Sequence, residues 1–166
     1  MTQAATPQTL MRAQVVLACL WAGAILAVGG LAAPSLFAVL DKANAGLGAG
    51  RIFSNEARLS LALAMVLFML ERRRVRDLAE AGLTPKVMTG NLLLVLGALF
   101  LTVFNEFGLH PAIEAAKAGI PTRLSFGALH GLSASLYWVK ALLVLALSWR
   151  LTSTLATPVA QAPAQG

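Results

Sequence analysis

Charge is scarce in this 166-residue chain: only 12% of its residues are Asp, Glu, Lys or Arg, with seven acids against thirteen bases. So few charges cannot cover the surface of a water-soluble domain when 58% of the residues are hydrophobic and the mean hydropathy is +0.75, so a soluble globule is excluded. The one cysteine, Cys19, rules out an intramolecular disulfide and a multi-thiolate metal site within one chain. It lies in an apolar run, where a thiol behaves as a small hydrophobe. Basic residues interleaved with aromatics on a polar surface are also missing, so the net charge of +6 does not point to nucleic acid. Anionic lipid headgroups are the expected partner. There is no G-x-S-x-G elbow, no close pair of carboxylates at helical spacing and no glycine loop before Lys-Ser or Lys-Thr, so no enzyme is expected. No twin-arginine leader or lipidation motif is expected either.

What the chain does have is long apolar runs. A hydrocarbon core about 30 Å thick needs about 20 helical residues, and four segments meet or approach that length: 13–40, 51–70, 87–107 and 124–147. The expected fold is all-α, an integral membrane bundle of four transmembrane helices over residues 13–150, with a flexible lead at 1–12 and a disordered tail at 151–166. The first run is too long for a signal peptide h-region and reads as a retained span. Gly29-Gly30 and Pro34 supply a bend in it, and Pro34 requires neighbouring helices or waters to satisfy the backbone group it frees. DKANAGLGAG (41–50) reads as a glycine-rich connection, and ERRRVRDLAEAGLTPK (71–86) as a charged loop. The second span must borrow polar residues from 51–58, because its apolar core is short. After the third span, Pro111 and Pro121 bracket a short segment expected to form one or two surface helical turns.

Four spans place both termini on one side, together with Arg72, Arg73, Arg74 and Arg76. The positive-inside rule puts that side in the cytoplasm, hence an inner-membrane protein with cytoplasmic termini. The opposite side collects Arg51, Asn55, Glu56 and Arg58 from the second span, Asn105, Glu106 and His110 from the third, and His130 from the fourth. Charged groups in a span tend to pair, face the bundle or line a cavity, and Glu56 or Glu106 against Arg58 is the expected pairing. The plainer reading places these residues at headgroup level, satisfied by water and phosphate. Gly127, Gly131 and Ser135 form a small-residue stripe suited to close helix packing, with His130 at its flank. Lys140 is expected to snorkel toward the cytoplasm, and Met65 and Met69 to be apolar filler.

Four short segments, in this order and spacing, resemble a known family. They are Trp21 with Gly23, Ala33-Pro34-Ser35-Leu36-Phe37, Gly50-Arg51-Ile52-Phe53 and Leu129-His130-Gly131-Leu132-Ser133. The pattern is similar to the transmembrane protein 205-like family of small four-helix membrane proteins, over about residues 13–147. The resemblance implies that architecture and draws attention to Pro34, Phe37 and His130; it implies no reaction. The leading functional expectation is a small transporter component or membrane scaffold, homo-oligomeric through its small-residue faces. The alternative is a metal- or haem-binding module, resembling copper-resistance membrane proteins, in which His110 and His130 hold copper or haem. A third class is a lipid-surface regulator using the arginines at 72–76.

Overall fold

The structure, a computed structural model, describes residues 7–156. It contains α1 (Pro7–Ala27), a π-helical segment (Val28–Ala32), α2 (Ala33–Val39), α3 (Lys42–Glu80), α4 (Gly90–Val103), a second π segment (Phe104–Leu109), α5 (His110–Lys117) and α6 (Phe126–Ala156). The π segments join their flanking helices end to end, so the described residues form four rods, each long and apolar enough to cross a membrane. The first rod packs beside α3 and α6, and α4 packs beside the same two, which leaves α3 and α6 facing one another across the bundle axis.

Each rod turns one stripe inward and leaves large apolar side chains on the outside. Trp21, Ile25, Leu67, Val95, Val144 and Leu147 are buried, whereas Leu31, Met69, Phe100, Leu142 and Trp149 are exposed. A helix that is apolar all round belongs in lipid. There, packing and interhelical hydrogen bonds hold the helices together, because lipid tails are as apolar as the core.

Both π segments have a visible cause. Pro34 and Pro111 lack the N–H that would continue the i→i−4 ladder. Just ahead of them, the ladder slips to i→i−5 bonds: the Ala33 amide donates to the Val28 carbonyl, and the His110 amide to that of Asn105. In the first segment a side chain also enters the ladder. The Tyr137 hydroxyl donates to the Ile25 carbonyl at 2.7 Å, so α6 gives the first rod a hydrogen bond just ahead of the π segment. A Cβ on Gly29 would lie 2.6 Å from Tyr137 Cε1. Tyr137→Phe, which strands the Ile25 carbonyl, is expected to lower stability by about 1–3 kcal/mol, and Gly29→Ala by a similar amount through overpacking. Thermal unfolding of the purified variants measures both. Wild-type melting of Tyr137→Phe would remove the hydroxyl from this account.

The helix limits correct several expectations. Residues 41–50 are not a loop: Asp41 caps α3, its carboxylate accepting from the Ala43 and Asn44 amides at 3.0 and 3.1 Å. Donation from Asn44, first its amide and then its side chain, holds that carboxyl below its usual pKa. Of the glycines that suggested a linker, Gly48 lets α2 approach, with Leu36 at contact distance from where its Cβ would sit. Nor are the arginines at 72–76 in a loop. α3 continues through them, because the first residue able to stop it is Gly82. That glycine has a φ of +81°, and the Gly82 and Leu83 amides close the helix end. The third rod likewise runs on through α5, with Pro111 accommodated in its first turn. α1 begins at Pro7 and α6 reaches Ala156, so residues 7–12 and 151–156 are helical. The outer parts of the expected lead and tail, 1–6 and 157–166, lie outside the described residues.

Candidate functional site

At the bundle axis a lysine and a glutamate from facing helices meet. Lys140 Nζ on α6 lies 2.7 and 2.9 Å from the two carboxylate oxygens of Glu56 on α3, and both side chains are buried, 4% and 3% exposed. Long side chains are required here, because the two helices lie across the bundle from one another. The ten residues from Lys140 to Arg150 amount to about 15 Å of helix, so the pair lies well inside the fourth rod, away from its charged end.

Helical spacing supplies the surrounding groups. Ser60, four residues after Glu56, donates to Glu56 at 2.5 Å and accepts from the Trp21 indole at 2.7 Å, which ties α1 to the pair. Tyr137, three residues before Lys140, places its ring 4.7 Å from the ammonium, a cation–π contact worth more once desolvated. A buried charge pair is tolerated only when its remaining lone pairs and protons are satisfied, and these neighbours do that.

From this pair a cavity of about 400 Å³ extends to the end of the bundle opposite the termini, where His110, Glu114 and Lys117 line it. Part way along, Glu106 accepts a hydrogen bond from Ser54 at 2.7 Å. Asn105 and Ser133 bond reciprocally, the Ser133 hydroxyl donating to Asn105 Oδ1 at 2.7 Å and Asn105 Nδ2 to the Ser133 carbonyl at 3.4 Å. Glu114 takes Lys117 at 2.7 Å and faces His110 at 3.7 Å. His130 stacks on Phe126 with ring centroids 5.8 Å apart. The rest of the wall is mostly apolar, including Pro34, Phe37, Phe53 and Leu136.

The sequence-derived cluster therefore divides. Glu56, Asn105, Glu106, His110 and His130 line the cavity, as does Pro34. Arg51, Asn55 and Arg58 are exposed on the outer face of α3, and Arg58 reaches only Asn55, at 3.5 Å. The expected partner of Glu56 is thus corrected: Arg58 points away, two helical steps amounting to about 200° having carried it to the opposite face, and Lys140 takes its place. Lys140 does not snorkel, because an acceptor stands at its own depth. The Gly127, Gly131 and Ser135 stripe is exposed. Among the described residues nothing packs on its glycines, Cβ atoms at both meeting nothing within 4 Å. Ser135 bonds back to its own helix at Gly131.

Sequence reasoning missed Trp21, Ser60 and Tyr137 as partners of the pair. The available signal was Glu56 and Ser60 at i,i+4 on a stripe shared with Ala64 and Leu67. It also missed a second buried cluster near the termini. There Glu71 on α3 accepts from Gln14 on α1 at 2.9 Å and from Thr89, the N-cap of α4, at 2.7 Å, with Arg74 at 3.5 Å. Gln14 Oε1 is buried there without a hydrogen-bond partner. Among the described residues no group of three His, Cys, Asp or Glu side chains converges as a metal site.

No curated protein and no solved structure matches the sequence significantly. A family model does, over residues 16–121, which include α3, α4 and α5 and stop short of α6. That match spans more than half of the chain, so the four-helix membrane protein described here belongs to the family described as Domain of unknown function (DUF4149).

Proposed function

We propose that this protein is a non-enzymatic transporter component of the inner membrane that binds a small solute in the cavity between its helices. The observation that carries the reading is the cavity of about 400 Å³ with the Glu56–Lys140 pair at its inner end. Ionisable groups held deep in a span mark solute or ion pathways, and a mainly apolar hollow with a few convergent polar groups is the usual form of a small-molecule site. The arginines near the termini favour cytoplasmic termini, which would turn the cavity mouth outward. The resemblance of Pro34, Phe37 and His130 to the transmembrane protein 205-like pattern is consistent with this assignment, since all three line the cavity.

A copper or haem site at His110 and His130 is less favoured, because His110 faces Glu114 and His130 stacks on Phe126. A scaffold that assembles through copies of itself is the second reading, favoured by the outward Gly127–Gly131–Ser135 stripe.

Single cysteines in a Cys19→Ser background test the proposal. With a membrane-impermeant thiol reagent applied to intact cells, Ala118→Cys and the cavity position Ala134→Cys are expected to label, and Ala81→Cys is not. Labelling of Ala81→Cys alone would invert the orientation. If Ala118→Cys reacts while Ala134→Cys stays silent from both sides, the cavity has no aqueous access and the solute-binding reading fails.

A further inference from the structure

The charges around the cavity do not cancel. Three carboxylates line it, Glu56, Glu106 and Glu114, against two ammonium groups, Lys117 and Lys140. Lys140 is committed to Glu56 at 2.7 Å and Lys117 to Glu114 at 2.7 Å. Glu106 has the Ser54 hydroxyl on one oxygen and, among the described residues, no cation within ion-pair distance. Lys140 is within electrostatic reach of it but already bound. Neither histidine is paired with Glu106, since His110 faces Glu114 and His130 stacks on Phe126. Counting carboxylates and ammonium groups alone, the lining holds three negative and two positive groups, and Glu106 is the one left over.

A carboxylate in an apolar span calls for a counter-charge, and the walls indicate its kind. Phe53 stands edge-on to Tyr137 with centroids 5.1 Å apart, and Phe37, Phe126 and Trp138 add aromatic surface. A small hard metal ion would need several oxygen ligands, and an anion would meet net negative charge. An organic cation instead gains from aromatic faces as well as from the carboxylate. We propose that the cavity binds a monovalent organic cation with an apolar body, with Glu106 as its counter-ion. This rests on the reading of the cavity as a solute site and names the class of solute.

The test titrates benzyltrimethylammonium into the purified full-length protein in uncharged detergent, followed by calorimetry, with phenylmethanesulfonate as a probe of similar shape and opposite charge. Saturable binding of the cation alone is expected. Glu106→Gln removes the charge that faces the ligand's cation, so binding should weaken by about tenfold or more. The amide oxygen of that variant still accepts from Ser54, so its melting temperature should stay near wild type, and Glu106→Asp should retain part of the affinity. Equal binding to wild type and Glu106→Gln, or binding of the sulfonate in place of the cation, would overturn the proposal. If neither probe binds, labelling at Ala134→Cys separates the outcomes. A labelled cavity sinks only the organic-cation class, and a silent one sinks the solute site with it.

Discussion

Lys140→Met is expected to destabilise the bundle by about 3–5 kcal/mol, because it leaves the Glu56 carboxylate buried without its counter-charge. The loss exceeds that of an ordinary polar truncation, because the ammonium meets both oxygens of Glu56 and the Ser60 hydroxyl as well. Methionine nearly conserves the lysine stem, so little of the effect is packing. The double variant Glu56→Gln with Lys140→Met removes both charges and should recover much of the stability, since replacing a whole buried pair is often close to neutral. Thermal unfolding in detergent of the two single variants and the double variant supplies the cycle. If both single variants melt at the wild-type temperature, the pair is not buried in the working protein and the site described above has no structural basis.

Trp21→Ala comes next, at about 3–5 kcal/mol. The indole is fully buried at the junction of α1, α3 and α6, and its removal opens a large void where the close packing that holds helices together in lipid is lost. The same change deletes the N–H that Ser60 accepts. Trp21→Phe separates the two contributions. It keeps most of the ring and loses the 2.7 Å hydrogen bond, so a cost of about 0.5–1.5 kcal/mol is expected. Denaturant titrations of the purified variants read both values. A Trp21→Phe loss as large as that of Trp21→Ala would shift the weight from packing to the hydrogen bond and its link to Glu56.

The spans themselves were legible because their signal is local: an apolar run long enough to cross lipid is written in consecutive residues. Helix ends were less so. The glycines at 46, 48 and 50 read as a linker because glycine disfavours helix in isolation, yet α3 runs through all three, and at Gly48 the missing side chain leaves room for Leu36 of α2. The arginines at 72–76 read as a loop because charge leaves the membrane, but a helix has no need to stop where the membrane does. π segments at both proline sites were not anticipated. In the first rod the backbone group that another helix satisfies is the Ile25 carbonyl, well before Pro34, and its partner Tyr137 lies 112 residues away in sequence.

The sequence by itself determined a four-helix membrane bundle, the end at which its polar residues collect, and Glu56, Glu106, His110 and His130 as residues to watch. These follow from hydropathy, length and the cost of charge in lipid, all properties of short stretches of chain. Only the tertiary structure decided that Lys140 faces inward to Glu56, that Arg51 and Arg58 turn away, and that Glu106 has no cation beside it among the described residues. Those outcomes depend on which helices stand opposite one another across the axis and on the rotation of each about its own length, and neither is encoded in any single span.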